Sequence, residues 1–509
     1  MTIEREGVET VRGAGPPAWR EDPHGPRRDL PAASFRPIGV QAIPWLVCLP
    51  AVALTVMSGL AAPVGLWLKY DYLTLPLVVG GIAWWTTRLS RSATSALLAL
   101  VVGSTLIVLF GTWQAGISDG DMIAGVFPYS DAQGYYLDAL RLLTGDKLSA
   151  FSSRRPLFPV FLAGLLGLAG LNLRLVLVCL TGITALAIGL AARGVQRSLG
   201  PFPGTVFLLC LFMFYRRYIG CTMTEQLGLT LGCVAFVLLW QGESEGRARP
   251  LVFGLFFLSL ALNARAGPFL ILPAIVLWGG WVFRTRKPLP ARMMAACLAA
   301  ALLGFVVNGL LLALFGIPQA AFSNFAYVLY GLVFNGNWTL ALQHHPELAA
   351  LAPVEQADRI YALAWEQIRV NPRALLDGCI RAWTGFFFHH SGTWSSHILN
   401  PSPAWSEAVV QFRSEGVAAV LRGEGRWIFL EVAAARLWSI CLNVLLVTGV
   451  IVAWRNRRQP LALLSLFGWA GILLSVPFAP PWDADSMRVY AATLPFILAL
   501  PSLGLLYDI

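Results

Sequence analysis

The residue types best suited to chemistry gather in a few short stretches. The first reads Tyr129-Ser130-Asp131-Ala132-Gln133-Gly134-Tyr135-Tyr136. Ser130 with Gln133 three residues on has the spacing of a capping box, so Asp131 opens a helix. The positive end of that helix favours an ionised carboxylate. Such a group can take a proton from a hydroxyl, or it can simply be a good helix-start residue. Further on come Arg154-Arg155-Pro156-Leu157-Phe158-Pro159, the Arg216-Arg217 pair, Thr224-Glu225, Asn263-Ala264-Arg265-Ala266-Gly267-Pro268, and Arg488-Val489-Tyr490. A guanidinium grips phosphate with a planar fork of donors. Arg155, Arg216, Arg217, Arg265 and Arg488 are therefore candidate phosphate ligands. Arg265 and Arg488 come foremost, because they adjoin apolar runs where charge is costly. The alternative use of each is snorkelling to lipid head groups. Glu225 caps its helix, pairs with Arg216 or Arg217, or lines the site. Tyr135, Tyr136 and Tyr490 are candidates to line a substrate, although anchoring at a membrane interface is the commoner use of Tyr.

Metal ligation has less to build on. Five of the six histidines, His344, His345, His389, His390 and His397, lie in one region, but as adjacent pairs whose side chains diverge. Zinc sites usually space their ligands along a helix. Asp483 and Asp485 ahead of Arg488 leave room for a divalent cation and no more. The eight cysteines form no CxxC pair. Most lie in apolar runs, as small buried hydrophobes do.

The elements that must carry these residues are read from composition. Of the 509 residues, 57% are hydrophobic and 13% charged, with mean hydropathy +0.66. Soluble domains carry about 25% charged residues. The deficit falls in blocks of bilayer-spanning length, so the fold class expected is all-α and polytopic. Hydropathy places about twelve crossings. The first six are Ile38–Leu60, Leu73–Thr87, Ala93–Trp113, Leu173–Ala192, Pro203–Tyr215 and Thr222–Trp240. The rest are Leu251–Leu262, Pro268–Phe283, Met293–Phe315, Leu437–Trp454, Leu461–Ala479 and Val489–Leu506. Arg88, Arg193, Arg197, Arg247, Arg249, Arg284, Arg455, Arg457 and Arg458 follow even-numbered spans. Basic residues mark cytoplasmic loops, so both termini face the cytoplasm. The net charge of +10 is thus explained by orientation, and no basic soluble face for nucleic acid is evident.

Two long loops are left on the other side, about 114–172 and 316–436. Each has amphipathic helices suited to a membrane surface. In the first, Tyr136, Ala139, Leu140 and Leu143 form the apolar stripe, with Asp138 and Arg141 off it. In the second, Ile360, Leu363, Ala364 and Ile368 form one stripe. Asn371 and Pro372 then open a further helix, whose apolar face holds Leu375, Leu376, Cys379, Ile380 and Trp383. Residues 1–37, rich in Pro, Gly and Arg, read as a disordered basic cytoplasmic tail rather than a signal peptide. The remainder, 38–509, is one transmembrane domain.

In their order and sidedness these motifs resemble the GT-C superfamily of integral-membrane glycosyltransferases. The nearest likeness is to bacterial aminoarabinose transferases, protein O-mannosyltransferases and lipopolysaccharide sugar transferases. The resemblance rests on Asp131 with Tyr135 and Tyr136, Gly145-Asp146, Arg155-Pro156-Leu157-Phe158, Thr224-Glu225, the Arg265 break and the late Arg488-Val489-Tyr490 with Pro495. It departs where Ala132 follows Asp131 instead of a second acid, where Arg154-Arg155 precedes a single Pro156, and in an extra helix pair ahead of Ala93. It implies a GT-C-like bundle, a polyprenyl-phosphate sugar donor and Asp131 as catalytic base. The acceptor hydroxyl of a glycan, lipid or protein would arrive from the non-cytoplasmic face. Two other classes are a lipid-linked sugar flippase or transporter, and an O-antigen polymerase or ligase. A transporter calls for broken or charged helices at the midplane and paired halves, and no internal repeat is visible here.

Overall fold

A computed structural model describes residues 38–505, apart from 72–73, 90–92, 245, 285–289, 321–322, 483–484 and all of 390–425 except 414 and 416. The expected tail at 1–37, His390, His397 and Asp483 lie outside these residues. The described residues are almost wholly helical; a small sheet pairs Met122–Ile123 (β1) with Phe127–Pro128 (β2) in an antiparallel hairpin.

Among the described residues, six helical segments are long and apolar enough to cross a membrane: Ala96–Ala115, Leu173–Leu199, Ala291–Phe315, Arg436–Arg455, Pro460–Phe478 and Met487–Gly504. A seventh crossing is available if Pro44–Met57 and Ala61–Tyr70, which meet at 109°, count as one broken span. This is fewer than the twelve runs that hydropathy marks. Several of the others form shorter helices, such as Pro201–Tyr215 with 15 residues and Ile271–Arg284 with 14. An apolar run of that length fits a buried core helix as well as a crossing.

In chain order the helices are α1 (Ile38–Met57), α2 (Ala61–Tyr70), α3 (Thr74–Leu89), α4 (Ala93–Ala115), α5 (Asp131–Leu143), α6 (Ala150–Ser153) and α7 (Leu157–Leu168). Then come α8 (Leu173–Leu199), α9 (Pro201–Tyr215), α10 (Thr224–Ser244), α11 (Ala248–Ala264), α12 (Ile271–Arg284) and α13 (Pro290–Phe315). The second loop contributes α14 (Ser323–Val333), α15 (Leu340–His344), α16 (Pro353–Val370) and α17 (Pro372–His389). The chain closes with α18 (Arg426–Arg455), α19 (Pro460–Ser475), a 3-10 stretch Asp485–Thr493 and α20 (Leu494–Gly504).

At the centre stands α10, packed by α8, α11 and the 485–493 stretch. Its first turns are buried. Helices α8 and α10 run in parallel, tied by Thr184 to Thr230 (2.8 Å) near their starts and by Trp240 to Ser198 (2.8 Å) near their ends. Helix α19 runs back against α12: Trp278 donates to the Pro460 carbonyl (3.0 Å), while the Leu270 amide donates to Ser475 (2.9 Å). These directions put Arg193, Arg197, Arg247, Arg249, Arg455, Arg457 and Arg458 at one end of the bundle. The starts of α10 and α12 and the 485–493 stretch share the other end.

Two close approaches fix that second end. A Cβ on Gly232 of α10 would collide with the Ala492 carbonyl, and one on Gly267 would collide with the Val489 carbonyl. Glycine at both positions lets the 485–493 backbone lie directly on α10 and on the break after α11.

Helix α5 differs from expectation in two respects. Ser130 sits at φ 53° and ψ −129° and makes no side-chain cap bond, so the capping box does not form. The buried face is Ala132, Tyr135, Asp138 and Ala139, while Leu143 is exposed. Asp138 is drawn inside because it accepts hydrogen bonds from the Ser149 amide and hydroxyl and from Arg141 (2.9 Å). Polar satisfaction there overrides the apolar stripe. Helix α16 follows its expected stripe, with Ile360 and Ala364 buried and Asp358, Arg359, Glu366 and Arg369 exposed. Helix α17 packs through Gly378, Ala382 and Phe386, and turns Leu376 and Ile380 outward.

Candidate active site

Asp131 is the first residue of α5, and its carboxylate accepts from an Arg488 guanidinium N–H at 2.7 Å. Both side chains are roughly a quarter to a third exposed, 24% for Arg488 and 32% for Asp131. Arg488 also lies 3.7 Å from Glu225 through Nε. Glu225 is 3.3 Å from Arg265, and neither side chain is more than 2% exposed. The result is a chain of alternating charge running inward from the rim: Asp131, Arg488, Glu225, Arg265. Four segments far apart in sequence supply it, namely the start of α5, the start of α10, the end of α11 and the 3-10 stretch before α20.

The inner half of the network is a support. Arg265 donates to the Arg488 carbonyl (3.4 Å) and to the Thr224 hydroxyl (3.5 Å), and Thr224 donates to Glu225 (3.0 Å). Withdrawing two charges from water costs several kcal/mol per ion, so such a pair persists only where geometry and hydrogen bonds compensate. Glu225 thus neutralises Arg265 and steadies Arg488. Its partners are not Arg216 and Arg217, the ones its sequence position indicates.

The remaining candidates separate by exposure. Arg155 is half-buried and donates to the Tyr135 hydroxyl at 3.1 Å. The Tyr135 ring is packed between Phe151 and Phe158. That leaves Tyr135 2% exposed, so it serves to hold Arg155. Tyr136 is half-buried against the same core. Arg217 is half-buried beside the Tyr218 ring. Arg216 is 1% exposed and donates to the Leu68 and Asp71 carbonyls, at 3.1 and 2.5 Å. It therefore fastens α2 to the turn after α9. Tyr490 is fully buried and donates to the Ala479 carbonyl (2.8 Å), which makes it a packing residue. Arg265 is likewise sealed behind Glu225. The cations left accessible at the rim are Arg155, Arg217 and Arg488, with half-buried Arg154 beside them.

Sequence reading missed two acids and a lysine at this end. Asp119 and Asp121 lie in the hairpin before α5, and the Tyr129 amide donates to the Asp121 carbonyl (3.0 Å). Lys69 at the end of α2 is fully buried, 3.6 Å from Asp119 and within reach of the Ile219 carbonyl (3.4 Å). The Asp121 carboxyl is pushed up to about 6 by desolvation first and by the charge of Glu225 next, against the pull of Arg488 and Arg217. A Gly-rich hairpin has no helical period, and Lys69 ends a helix that lies between the first two hydropathy runs. The local signal available was the Gly-Ile-Ser-Asp-Gly-Asp string itself. Among the described residues, no group of three or more His, Cys, Asp or Glu side chains has the arrangement of a metal site. His344 instead bonds Tyr330 (3.1 Å), and His345 pairs with Glu347 (3.2 Å).

Fold and site together define an α-helical protein with six candidate membrane spans and a charged cluster at the end of the bundle opposite its arginine-rich turns. The chain matches no family model, no characterised protein and no solved structure.

Proposed function

We propose that this chain is an inverting glycosyltransferase of a bacterial inner (plasma) membrane. It moves a hexose or pentose from a polyprenyl-phosphate carrier to an acceptor hydroxyl of a glycan, lipid or protein on the non-cytoplasmic face. The observation that carries the reading is the Asp131–Arg488 contact of 2.7 Å, at the end of the bundle away from the arginine-rich turns.

The chemistry suits those parts. A sugar joined to phosphate already has a good leaving group, so one carboxylate can suffice. Hydrolases need a second carboxyl group to protonate a poor leaving oxygen. The acceptor oxygen attacks the anomeric carbon as its proton leaves for a carboxylate, a role the resemblance gives to Asp131. Attack opposite the phosphate inverts the anomeric centre, and the departing phosphate gains charge. Arg488 stands ready to hold it, with Arg155 and Arg217 at the rim. Glu225 and Arg265 keep Arg488 in place.

Membranes from cells expressing the protein, supplied with a labelled polyprenyl-phosphate sugar, should transfer the label. Asp131→Asn should cut transfer by about 100-fold or more, with expression and insertion intact. Passage of the intact donor across vesicles, with its sugar still attached, would point to a flippase instead.

A further inference from the structure

The proton-accepting role is better filled by a neighbour of Asp131. Among the described residues, the carboxylates around Arg488 and the hairpin include Asp119, Asp121, Asp131 and Glu225, and three of these four are already engaged. Asp131 is bonded to Arg488 at 2.7 Å. Glu225 is fully buried between Arg265 and Arg488. Asp119 accepts from the Gly120 amide and from Tyr70, and pairs with Lys69. Among the described residues, no hydrogen bond or ion pair holds the Asp121 carboxylate. It is half-buried on the hairpin that precedes α5. The charged groups around it are Glu225 from α10, Arg488 from the stretch before α20, Arg217 from the turn after α9, and Asp119 from its own loop.

We infer that Asp121 takes the acceptor proton, while Asp131 tethers Arg488 for the phosphate. The inference rests on the glycosyl-transfer reading and names its base. In the step, the acceptor O–H bond breaks and its proton passes to an Asp121 oxygen. The acceptor oxygen bonds the anomeric carbon, and the anomeric C–O bond to phosphate breaks with its electron pair leaving on the phosphate. Asp121 then gives the proton to solvent. One Asp131 oxygen is already taken by Arg488, whereas a carboxylate set among other carboxylates binds protons more tightly. Burial first, and the charge of Glu225 next, push Asp121 up to about 6, in the range where a base is both ionised near neutrality and basic enough to act.

The test compares wild type, Asp121→Asn and Asp131→Asn in nanodiscs across pH 5 to 8, following transfer from labelled polyprenyl-phosphate sugar. Wild-type kcat should rise with pH around 6. Asp121→Asn should lose about 100-fold or more in kcat and lose the pH limb, with donor KM little changed. Asp131→Asn should raise donor KM and keep the limb on its residual rate. A second readout needs no activity. Between the ordinary carboxylate range and about 6 the folded protein holds a proton that the unfolded chain has released, so Tm should fall as pH rises through that window, and Asp121→Asn should flatten the fall. Transfer and a pH limb retained in Asp121→Asn would overturn the inference and leave the base role with Asp131. No transfer by wild type from any polyprenyl-phosphate sugar would sink the underlying reading instead.

Discussion

Arg265 and Glu225 are two charges shut away from water, each dependent on the other. Removing one leaves an uncompensated buried charge, which costs about 3–5 kcal/mol. Arg265→Met should therefore unfold in detergent at markedly lower temperature than wild type, and Arg265→Met with Glu225→Gln should recover part of the loss in the same scan. Ser130 makes the opposite forecast. A non-glycine residue at φ 53° is strained by about 1–3 kcal/mol, and its hydroxyl caps nothing. Ser130→Gly should raise Tm in the same assay; an unchanged or lower Tm would mean the turn is unstrained.

At this scale the sequence was readable where charge is expensive. Arg265 and Arg488 stand out because they adjoin apolar runs, Asp131 and Glu225 because each opens a helix, and the four form one chain of contacts. What could not be read was which cation serves which anion. Arg216 next to Glu225 in sequence turns back to α2, while Arg265 and Arg488, far along the chain, supply the pairing. Asp121 escaped notice because a two-strand hairpin leaves no periodic trace.

Among the elements, the 485–493 stretch has the most demanding position, since it carries Arg488 over α10 with backbone against backbone. Gly232 and Gly267 permit that approach. A side chain at either should push the stretch outward and move Arg488 from Asp131. Misplacement by about 1 Å can cost roughly 100-fold in rate. Gly232→Ala and Gly267→Ala should thus lose transfer while still inserting in membranes. Full activity in both would show that Arg488 tolerates displacement. Amphipathic stripes located α16 correctly, because one face meets core and the other water. They misplaced the face of α5, where a buried carboxylate with hydrogen-bond donors outweighs the apolar pattern. Helix α2 fell between the first two hydropathy runs, and hydropathy carries no signal for its 109° bend against α1.

For the whole molecule, the all-α class follows from composition, since only helices keep backbone groups paired across lipid without closing a barrel. The number of crossings does not follow, because short buried helices and true spans share one hydropathy. Sidedness is a stronger statement, as the arginine-rich turns and the charged cluster occupy opposite ends. It can be measured with single cysteines in a background whose native cysteines are replaced. Gln133→Cys and Glu355→Cys should react with an impermeant maleimide added outside intact cells, and Arg249→Cys only after lysis. The reverse pattern would place the cluster in the cytoplasm.

The most direct measurement is a structure of the protein with polyprenyl monophosphate, the product left after sugar transfer. The phosphate should lie about 3 Å from the Arg488 guanidinium, beside Asp131 and Asp121. A phosphate bound at the arginine-rich end, or lipid bound only along the helix flanks with no phosphate at Arg488, would contradict the assignment.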